Sequence, residues 1–190
     1  FGRMSTPLPI TEFEVPTTSV VYGLSMASNH EALMLARQAI DELRASHPES
    51  TPSNVQAVYM SPWKSHTLND KLKPLTLLIE QLVTQVVHER LNTDLSRLGW
   101  RLSVTDCWGA IYEETDHTLP HTHFPADFAA VLYLEAGPQC APLVFDGGVC
   151  VKPQQGTLVI FPGGLKHHVP HTADRRVVVA MNLYKLPALA

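Results

Sequence analysis

The sequence lacks the features that mark several common classes of protein. It contains only three cysteines, Cys107, Cys140 and Cys150, and no CxxC spacing, so neither a disulfide framework nor a zinc knuckle is indicated. No apolar run approaches the roughly 18 residues of a membrane span, and no basic-then-apolar signal pattern opens the sequence. These absences predict a soluble, cytoplasmic protein without a membrane partner.

Positive charge is also scarce. The 190 residues include 14 lysines and arginines against 18 acidic residues, which gives a formal net charge of −4. Phosphate binding needs a basic surface, so no nucleic-acid partner is expected. The hydrophobic fraction of 45% suffices for one core, and the composition does not break along the chain, so a single domain over residues 1–190 is predicted. A homodimer is compatible with this size, but no sequence feature demonstrates one.

The N-terminal half carries two helical patterns. Ser28 and Glu31 have the spacing of a capping box, and apolar residues recur at helical intervals over residues 28–46. A second helix is predicted over about 70–95, with Pro74 in its first turn. The buried stripe predicted for this second helix consists of Leu78, Leu82, Val86 and Leu91.

Strand patterns dominate the C-terminal half. β-Branched and aromatic residues also suggest edge strands within 10–25, before the first helix. The chain thus divides into a helical support region of about 26–98 and a β core of about 100–186. Short strands without intervening helices close into a sandwich, jelly roll or barrel. The strand-like runs of the C-terminal half cover residues 100–113, 128–136, 141–151, 156–162 and 175–184.

Histidines provide the first chemical signal. Six of the ten fall between positions 117 and 171, and LPHTHF places His121 and His123 two residues apart. Successive side chains alternate in an extended segment, so both rings can lie on one face. A third ring, His167, follows the strand GTLVIF in the context FPGGLKHH. Together the three form a candidate metal site that would leave other coordination positions open.

Arg176 is the second signal. It lies on the predicted strand of residues 175–184, on which Val178, Ala180 and Asn182 share its face. A guanidinium inside an apolar barrel is costly unless it meets an anion, and its planar fork suits a carboxylate. The partner could be a bound ligand, with the Tyr133 hydroxyl contributing, or a buried acidic side chain of the protein itself.

The histidine and arginine segments, HTHFPADFAAVLYL and GTLVIFPGGLKHHVPHTADRRVVVAMN, resemble those of the iron(II) and 2-oxoglutarate-dependent oxygenases. More narrowly, the chain resembles the small, prolyl-hydroxylase-like oxygenases of bacteria and phages. The resemblance implies a mainly β fold, in which a double-stranded β-helix, the jelly-roll or cupin-like barrel, is flanked by two helices. It also implies iron(II) and 2-oxoglutarate as cofactors, with ascorbate as an optional reductant.

Residue by residue, the resemblance implies roles for six positions. His121 and His167 match metal ligands, and Arg176, helped by Tyr133, matches the partner of the distal carboxylate of 2-oxoglutarate. Tyr112 matches a tyrosine near the cosubstrate, and Asn182 ends the arginine strand as in the narrower family. The implied reaction couples decarboxylation of 2-oxoglutarate to hydroxylation of a small-molecule or peptidyl substrate.

One position departs from the superfamily, which usually has HxD or HxE where this chain has His121 and His123. A three-histidine site is one reading. The other completes a site of two histidines and one carboxylate with Asp127, for which the chain around Pro125 would have to fold back. Because each imidazole must lose its proton to coordinate, metal affinity is expected to fall below about pH 6.5.

Two other functions fit the histidines. A cupin-type metalloenzyme would use the three rings without 2-oxoglutarate, and a non-catalytic barrel would hold a metal ion or a small anion. Neither the cupin type nor a simple metal carrier needs a carboxylate clamp, so Arg176 and Tyr133 discriminate between these functions and the oxygenase.

Overall fold

The computed structural model describes residues 17–188, so the predicted strand positions 10–16 lie outside the described part of the chain. Helices occupy only the first half of this region. They are α1 (His30–Ser46), the single turn α2 (Ser65–Leu68) and α3 (Lys73–Arg90), with a 3-10 helix at Asp70–Leu72 leading into α3.

Eleven strands form two antiparallel sheets over the described residues. The major sheet has the order β1-β9-β6-β11-β4-β3, and the minor sheet has the order β2-β5-β10-β7-β8. The strands are β1 (Tyr22–Ser25), β2 (Val55–Gln56), β3 (Tyr59–Met60), β4 (Trp100–Tyr112), β5 (His117–His121), β6 (Phe128–Ala136), β7 (Leu143–Phe145), β8 (Cys150–Val151), β9 (Thr157–Pro162), β10 (His167–Val169) and β11 (Arg176–Pro187).

The major sheet is buried on both faces, which explains its near-continuous apolar strands. On β11, Val177 and Val179 belong to the core shared with the helices, whereas Val178 packs in the core between the two sheets. The same alternation puts Leu132 of β6 toward the helices and Tyr133 toward the minor sheet. The face toward the minor sheet is therefore the one that can carry a buried site.

The first helix begins differently from its predicted start. Its N-cap is Asn29, which makes no side-chain capping bond, so the expected capping box of Ser28 and Glu31 does not form. The helix is instead anchored by tertiary packing, since Ile40 and Leu43 are fully buried in the core against the major sheet.

The second long helix buries a neighbouring stripe rather than the predicted one. Of the predicted residues only Val86 is buried, Leu78 and Leu82 are partly buried, and Leu91 is exposed beyond the end of α3. Two apolar stripes lie side by side on this helix, and the packing against β4 selects the one that faces the sheet. The buried residues are Leu75, Thr76, Ile79, Val83, Val86 and Val87.

Two antiparallel sheets packed face to face, with helices covering the outside of one, make a double-stranded β-helix, or jelly roll. This confirms the predicted fold class. Within the predicted edge-strand region of residues 10–25, β1 does lie at the edge of the major sheet. The short strands β3 and β2, which were not predicted, extend the major and the minor sheet, respectively. Within residues 17–188, no helix is both long enough and apolar enough to cross a membrane.

Candidate metal and anion site

A pocket with an empty volume of about 440 Å³ lies between the two sheets. Every predicted metal ligand and anion-binding residue except Asp127 and Asn182 lines it. Apart from Thr118, the other described residues of its wall are apolar or aromatic, and they include no acidic side chain and no lysine. The lining residues are Val55, Trp108, Ala110, Tyr112, Thr118, His121, His123, Val131, Tyr133, Leu143, His167, Val169, Arg176, Val178 and Ala180.

The minor sheet brings the three imidazoles together. His121 ends β5 and His167 begins β10, and the two residues pair directly across these antiparallel strands. His123 lies two residues beyond the end of β5. One ring nitrogen from each of His121, His123 and His167 lies within 4.8 Å of the others, which is close enough for a shared metal ion.

The backbone of His123 is fixed by a close approach to the loop after β9. Its N–H donates to the Gly163 carbonyl at 2.7 Å, and its own carbonyl accepts from Ala126 N at 2.9 Å. A Cβ at Gly163 would lie only 2.0 Å from the Ala126 carbonyl oxygen, so glycine is required there. The ring itself stacks on Trp108 at a centroid distance of 5.9 Å and on His167 at 5.0 Å.

Two of the rings have their tautomers fixed by backbone carbonyls. His121 Nδ1 lies 2.8 Å from the Leu119 carbonyl oxygen, and His167 Nδ1 lies 2.9 Å from that of Leu165. A carbonyl oxygen can only accept, so each Nδ1 carries the hydrogen and donates. Each Nε2 then keeps its lone pair, which is the state that binds a metal ion.

Burial keeps the rings neutral. Desolvation, followed by repulsion from the neighbouring rings, lowers the pKa of His123 to about 3, and desolvation lowers that of His167 to about 4. The pKa of His121 is lowered as well, again chiefly by burial. Protons therefore compete with a metal ion only well below the pH of about 6.5 expected from free histidine.

Arg176 enters the same pocket from the major sheet. It is only 2% exposed, and its sole polar contact with the described part of the chain is from Nη1 to the Ala141 carbonyl oxygen at 3.2 Å. Its Nε is buried without a hydrogen-bond partner. Within residues 17–188 no aspartate or glutamate forms an ion pair with it, so the alternative of an internal salt bridge has no partner there.

Two tyrosines surround the guanidinium. Its Cζ lies 4.2 Å from the centroid of the Tyr112 ring, a cation–π contact, and the Tyr112 hydroxyl pairs with Thr118 Oγ1 at 2.7 Å. Burial raises the pKa of Tyr133 to about 12, while the nearby Arg176 charge acts in the opposite direction. Tyr133 is therefore a neutral phenol that can donate a hydrogen bond to an anion.

Asp127 points away from the histidines. The chain does fold back after Pro125, but the Asp127 carboxylate accepts from the Lys185 N–H at 2.7 Å and pairs with the Lys185 ammonium at 3.3 Å. It is absent from the group of converging ligand atoms, which consists of histidines alone. The geometry therefore favours the three-histidine reading of the site.

Asn182 lies beside the metal ligands rather than in the lining of the anion pocket. Its Nδ2 donates to Asp106 Oδ2 at 3.2 Å, and it neighbours the His123 ring.

Three features of the site were not predicted from the sequence: the bond of Asp106 to Asn182, the bond of Thr118 to Tyr112, and the stacking of Trp108 on His123. Strand alternation offered a signal for Asp106 and Trp108, because both share a face of β4 with Tyr112.

Comparisons with known proteins bear on the fold. No protein-family model matches the sequence, and no curated protein matches it. Among solved structures, the chain is similar to a Pseudomonas putida prolyl-4-hydroxylase, with a TM-score of 0.62, 18% identity, and coverage of 88% of this chain and 93% of that one.

Two further structures are similar. A prolyl hydroxylase from Trichoplax adhaerens, solved with a hypoxia-inducible-factor peptide fragment, gives a TM-score of 0.64 at 15% identity, covering 86% of this chain and 83% of that one. A non-heme α-ketoglutarate-dependent epimerase, SnoN of nogalamycin biosynthesis, gives 0.62 at 14%, covering 89% and 80%. The chain therefore has the fold of the prolyl-hydroxylase-like iron(II) and 2-oxoglutarate oxygenases.

Proposed function

We propose that this protein is an iron(II) and 2-oxoglutarate-dependent oxygenase that hydroxylates a small-molecule or peptidyl substrate. One observation carries the proposal. A buried guanidinium with an unpaired Nε and no acidic partner among the described residues lines the same pocket as three converging imidazoles. A metal site alone would not need that charge, whereas a cosubstrate with a keto acid at one end and a carboxylate at the other engages both features.

The donor set fits iron(II). His121, His123 and His167 would hold the ion through neutral rings, and imidazole suits iron as well as zinc, copper and nickel. Three neutral ligands leave the ion its full double charge, which favours a dianionic cosubstrate. The choice of iron over the other metals follows from the neighbouring anion pocket and from the shared fold.

The anion pocket fits the distal carboxylate of 2-oxoglutarate. Arg176 would bind it with two hydrogen bonds, since its free Nε and its guanidinium fork match carboxylate geometry. Tyr133 would donate a third bond, and Tyr112 would hold the guanidinium flat by stacking. When bound, iron and 2-oxoglutarate supply the oxygen activation and decarboxylation that drive hydroxylation, while the apolar wall excludes water.

An anaerobic titration tests the proposal. Iron(II) is added to the metal-free protein, followed by 2-oxoglutarate, and the visible spectrum is recorded. A weak charge-transfer band is expected only if both share the site, and succinate should then form under oxygen in an iron-dependent reaction. Absence of the band at saturating 2-oxoglutarate, in a protein that binds iron(II), would reject the use of this cosubstrate.

A second candidate is a cupin-type metalloenzyme that does not use 2-oxoglutarate. The observation in its favour is the ligand set of three histidines without a carboxylate. This candidate predicts metal binding with no charge-transfer band and no effect of Arg176 substitution on metal-dependent activity. A non-catalytic metal or anion carrier would likewise bind its ligand without producing succinate.

A further inference from the structure

We propose that Asn182 is the positioning residue of the third metal ligand: its carboxamide oxygen accepts a hydrogen bond from the outward ring N–H of His123, and Asp106 fixes the direction of that carboxamide. The inference rests on the proposed metal site. It assigns Asn182 to the metal rather than to the cosubstrate.

The three imidazoles are not supported equally. His121 and His167 each donate a hydrogen bond to the carbonyl oxygen two residues earlier, which fixes their tautomers. No backbone carbonyl does this for the His123 ring within the described residues. Yet a ligand with an unfixed tautomer would present a protonated nitrogen to the metal part of the time, and the ring would be free to turn.

Asn182 has the missing acceptor. Its Oδ1 is buried and has no hydrogen-bond partner of ordinary geometry, and a buried amide oxygen without a partner is costly. Asn182 follows Ala180 on the face of β11 that lines the pocket with His123, and its strand partner Asp106 lies two residues from Trp108, on which the His123 ring stacks. A small rotation of either group would complete the bond.

Asp106 determines which way the carboxamide points. Asn182 and Asp106 face each other across β11 and β4, and Asn182 Nδ2 donates to Asp106 Oδ2 at 3.2 Å. A carboxylate can only accept, so the amide nitrogen must face Asp106 and the oxygen must face away from it. Lys64 Nζ forms an ion pair with the other carboxylate oxygen, Asp106 Oδ1, at 3.7 Å.

Asp106, Asn182 and His123 therefore form a hydrogen-bonded chain. In this chain the outer ring nitrogen of His123 donates to a side-chain oxygen, whereas those of His121 and His167 donate to backbone carbonyl oxygens. This explains how a histidine can occupy the position that is usually a carboxylate. A carboxylate has no tautomer to fix, whereas an imidazole needs an acceptor on its outer nitrogen before it becomes a reliable ligand.

The test measures the tautomer and the metal affinity rather than turnover. Histidine ring ¹⁵N–¹H correlation spectra of the metal-free protein report which nitrogen of His123 carries the hydrogen, and Co²⁺ titration reports affinity. Asn182→Ala should give a mixture of His123 tautomers and weaken Co²⁺ binding about 10- to 100-fold, as loss of an outer partner does. Asn69→Ala is the matched control, because Asn69 caps the 3-10 helix away from the metal site and should change neither reading.

A swapped pair provides the rescue. In the double variant Asn182→Asp with Asp106→Asn, the new amide at position 106 donates to the new carboxylate at position 182. The other carboxylate oxygen can still accept from His123. This variant should therefore restore a single tautomer and most of the Co²⁺ affinity. A general loss of packing would not be repaired in this way. The double variant also keeps the test decisive if Asn182→Ala does not fold.

The outcomes separate this inference from the proposed function. Wild-type protein that binds no Co²⁺ or iron(II) would overturn both. Wild-type protein that binds metal, together with an Asn182→Ala variant of unchanged tautomer and affinity, would overturn the role of Asn182 alone. Failure of the swapped pair to restore the tautomer while the protein remains folded would do the same.

Discussion

The two walls of the pocket differ in how complete they are without a ligand. On the minor-sheet wall, His121 and His167 already have their outer nitrogens bonded, and burial holds their rings neutral. On the major-sheet wall, Arg176 is buried with its Nε unpaired. The first wall is preformed, whereas the second holds a buried charge whose burial cost a bound anion would offset. Loss of a histidine should therefore weaken metal binding, whereas loss of Arg176 should weaken anion binding without lowering the stability of the ligand-free protein.

Removal of a metal ligand should have the largest effect. His167→Ala deletes one of three donors, so metal affinity should fall by more than the roughly 100-fold that loss of an outer partner costs. His168→Ala is the matched control, because its side chain leaves the opposite face of β10 and lies outside the pocket lining. Co²⁺ titration of both variants measures the difference. Equal affinities in the two variants would remove His167 from the site.

Arg176 should show opposite effects on binding and on stability. Arg176→Met removes the charge while keeping an apolar chain of similar length, so 2-oxoglutarate should bind at least about 30-fold more weakly, the equivalent of about 2 kcal/mol. Without ligand, the melting temperature should stay the same or rise, because a buried charge without an anion is lost.

Arg175→Met controls for the loss of an arginine from the same strand region. Arg175 is half-exposed and pairs with Glu113 and Glu135, so its loss should leave cosubstrate binding intact and lower stability only slightly. A destabilised Arg176→Met protein with unchanged 2-oxoglutarate affinity would assign Arg176 a structural role instead.

The preformed wall predicts a pH dependence for the metal-free protein. The unfolded chain binds protons on its histidines below about pH 6.5, while the folded rings of His123 and His167 resist protonation down to about 3 and about 4. Stability is therefore full above about pH 6.5 and falls as the pH is lowered, by up to about 1.4 kcal/mol per pH unit for each ring.

Urea unfolding in the presence of a chelator, between about pH 7 and 5.5, measures this slope. His167→Phe should reduce the slope because one resisting ring is gone, whereas replacement of the exposed His88 by asparagine should leave it unchanged. A wild-type stability that does not vary over this range would contradict the neutral, buried state of the rings.

The fold was predictable from the sequence where one physical signal dominates. The β6 prediction of 128–136 coincides with the strand, because an apolar run that includes aromatic and β-branched residues is bounded by turn residues on both sides. The stripe of α3 was predicted wrongly, because the helix carries two adjacent apolar stripes and only its contact with β4 distinguishes them. Local pattern shows that a face is apolar, but tertiary packing decides which residues are buried.

The site shows the same division. The three histidines and Arg176 were found from residue type, spacing and strand alternation, which are local properties. Alternation along β4 puts Asp106 on the same face as Tyr112, but its bond to Asn182 could not be predicted, since the two residues are 76 apart and meet only because β4 and β11 pair. A residue's own segment can indicate which face it occupies, but the partner that it orients emerges only from the register of the folded sheet.

The smallest effect is predicted for Asp127→Ala, and its comparison with His123→Ala tests which of the two residues is the third metal ligand. Asp127→Ala removes a carboxylate that bonds only Lys185 in the structure, so Co²⁺ affinity should stay within about twofold of wild type, and stability should fall by about 1 kcal/mol. His123→Ala should instead lose metal binding to the extent expected for a direct ligand. The reverse result, with tight binding in the His123 variant and loss in the Asp127 variant, would require the turn after Pro125 to rearrange and bring a carboxylate to the ion, making this a site of two histidines and one carboxylate.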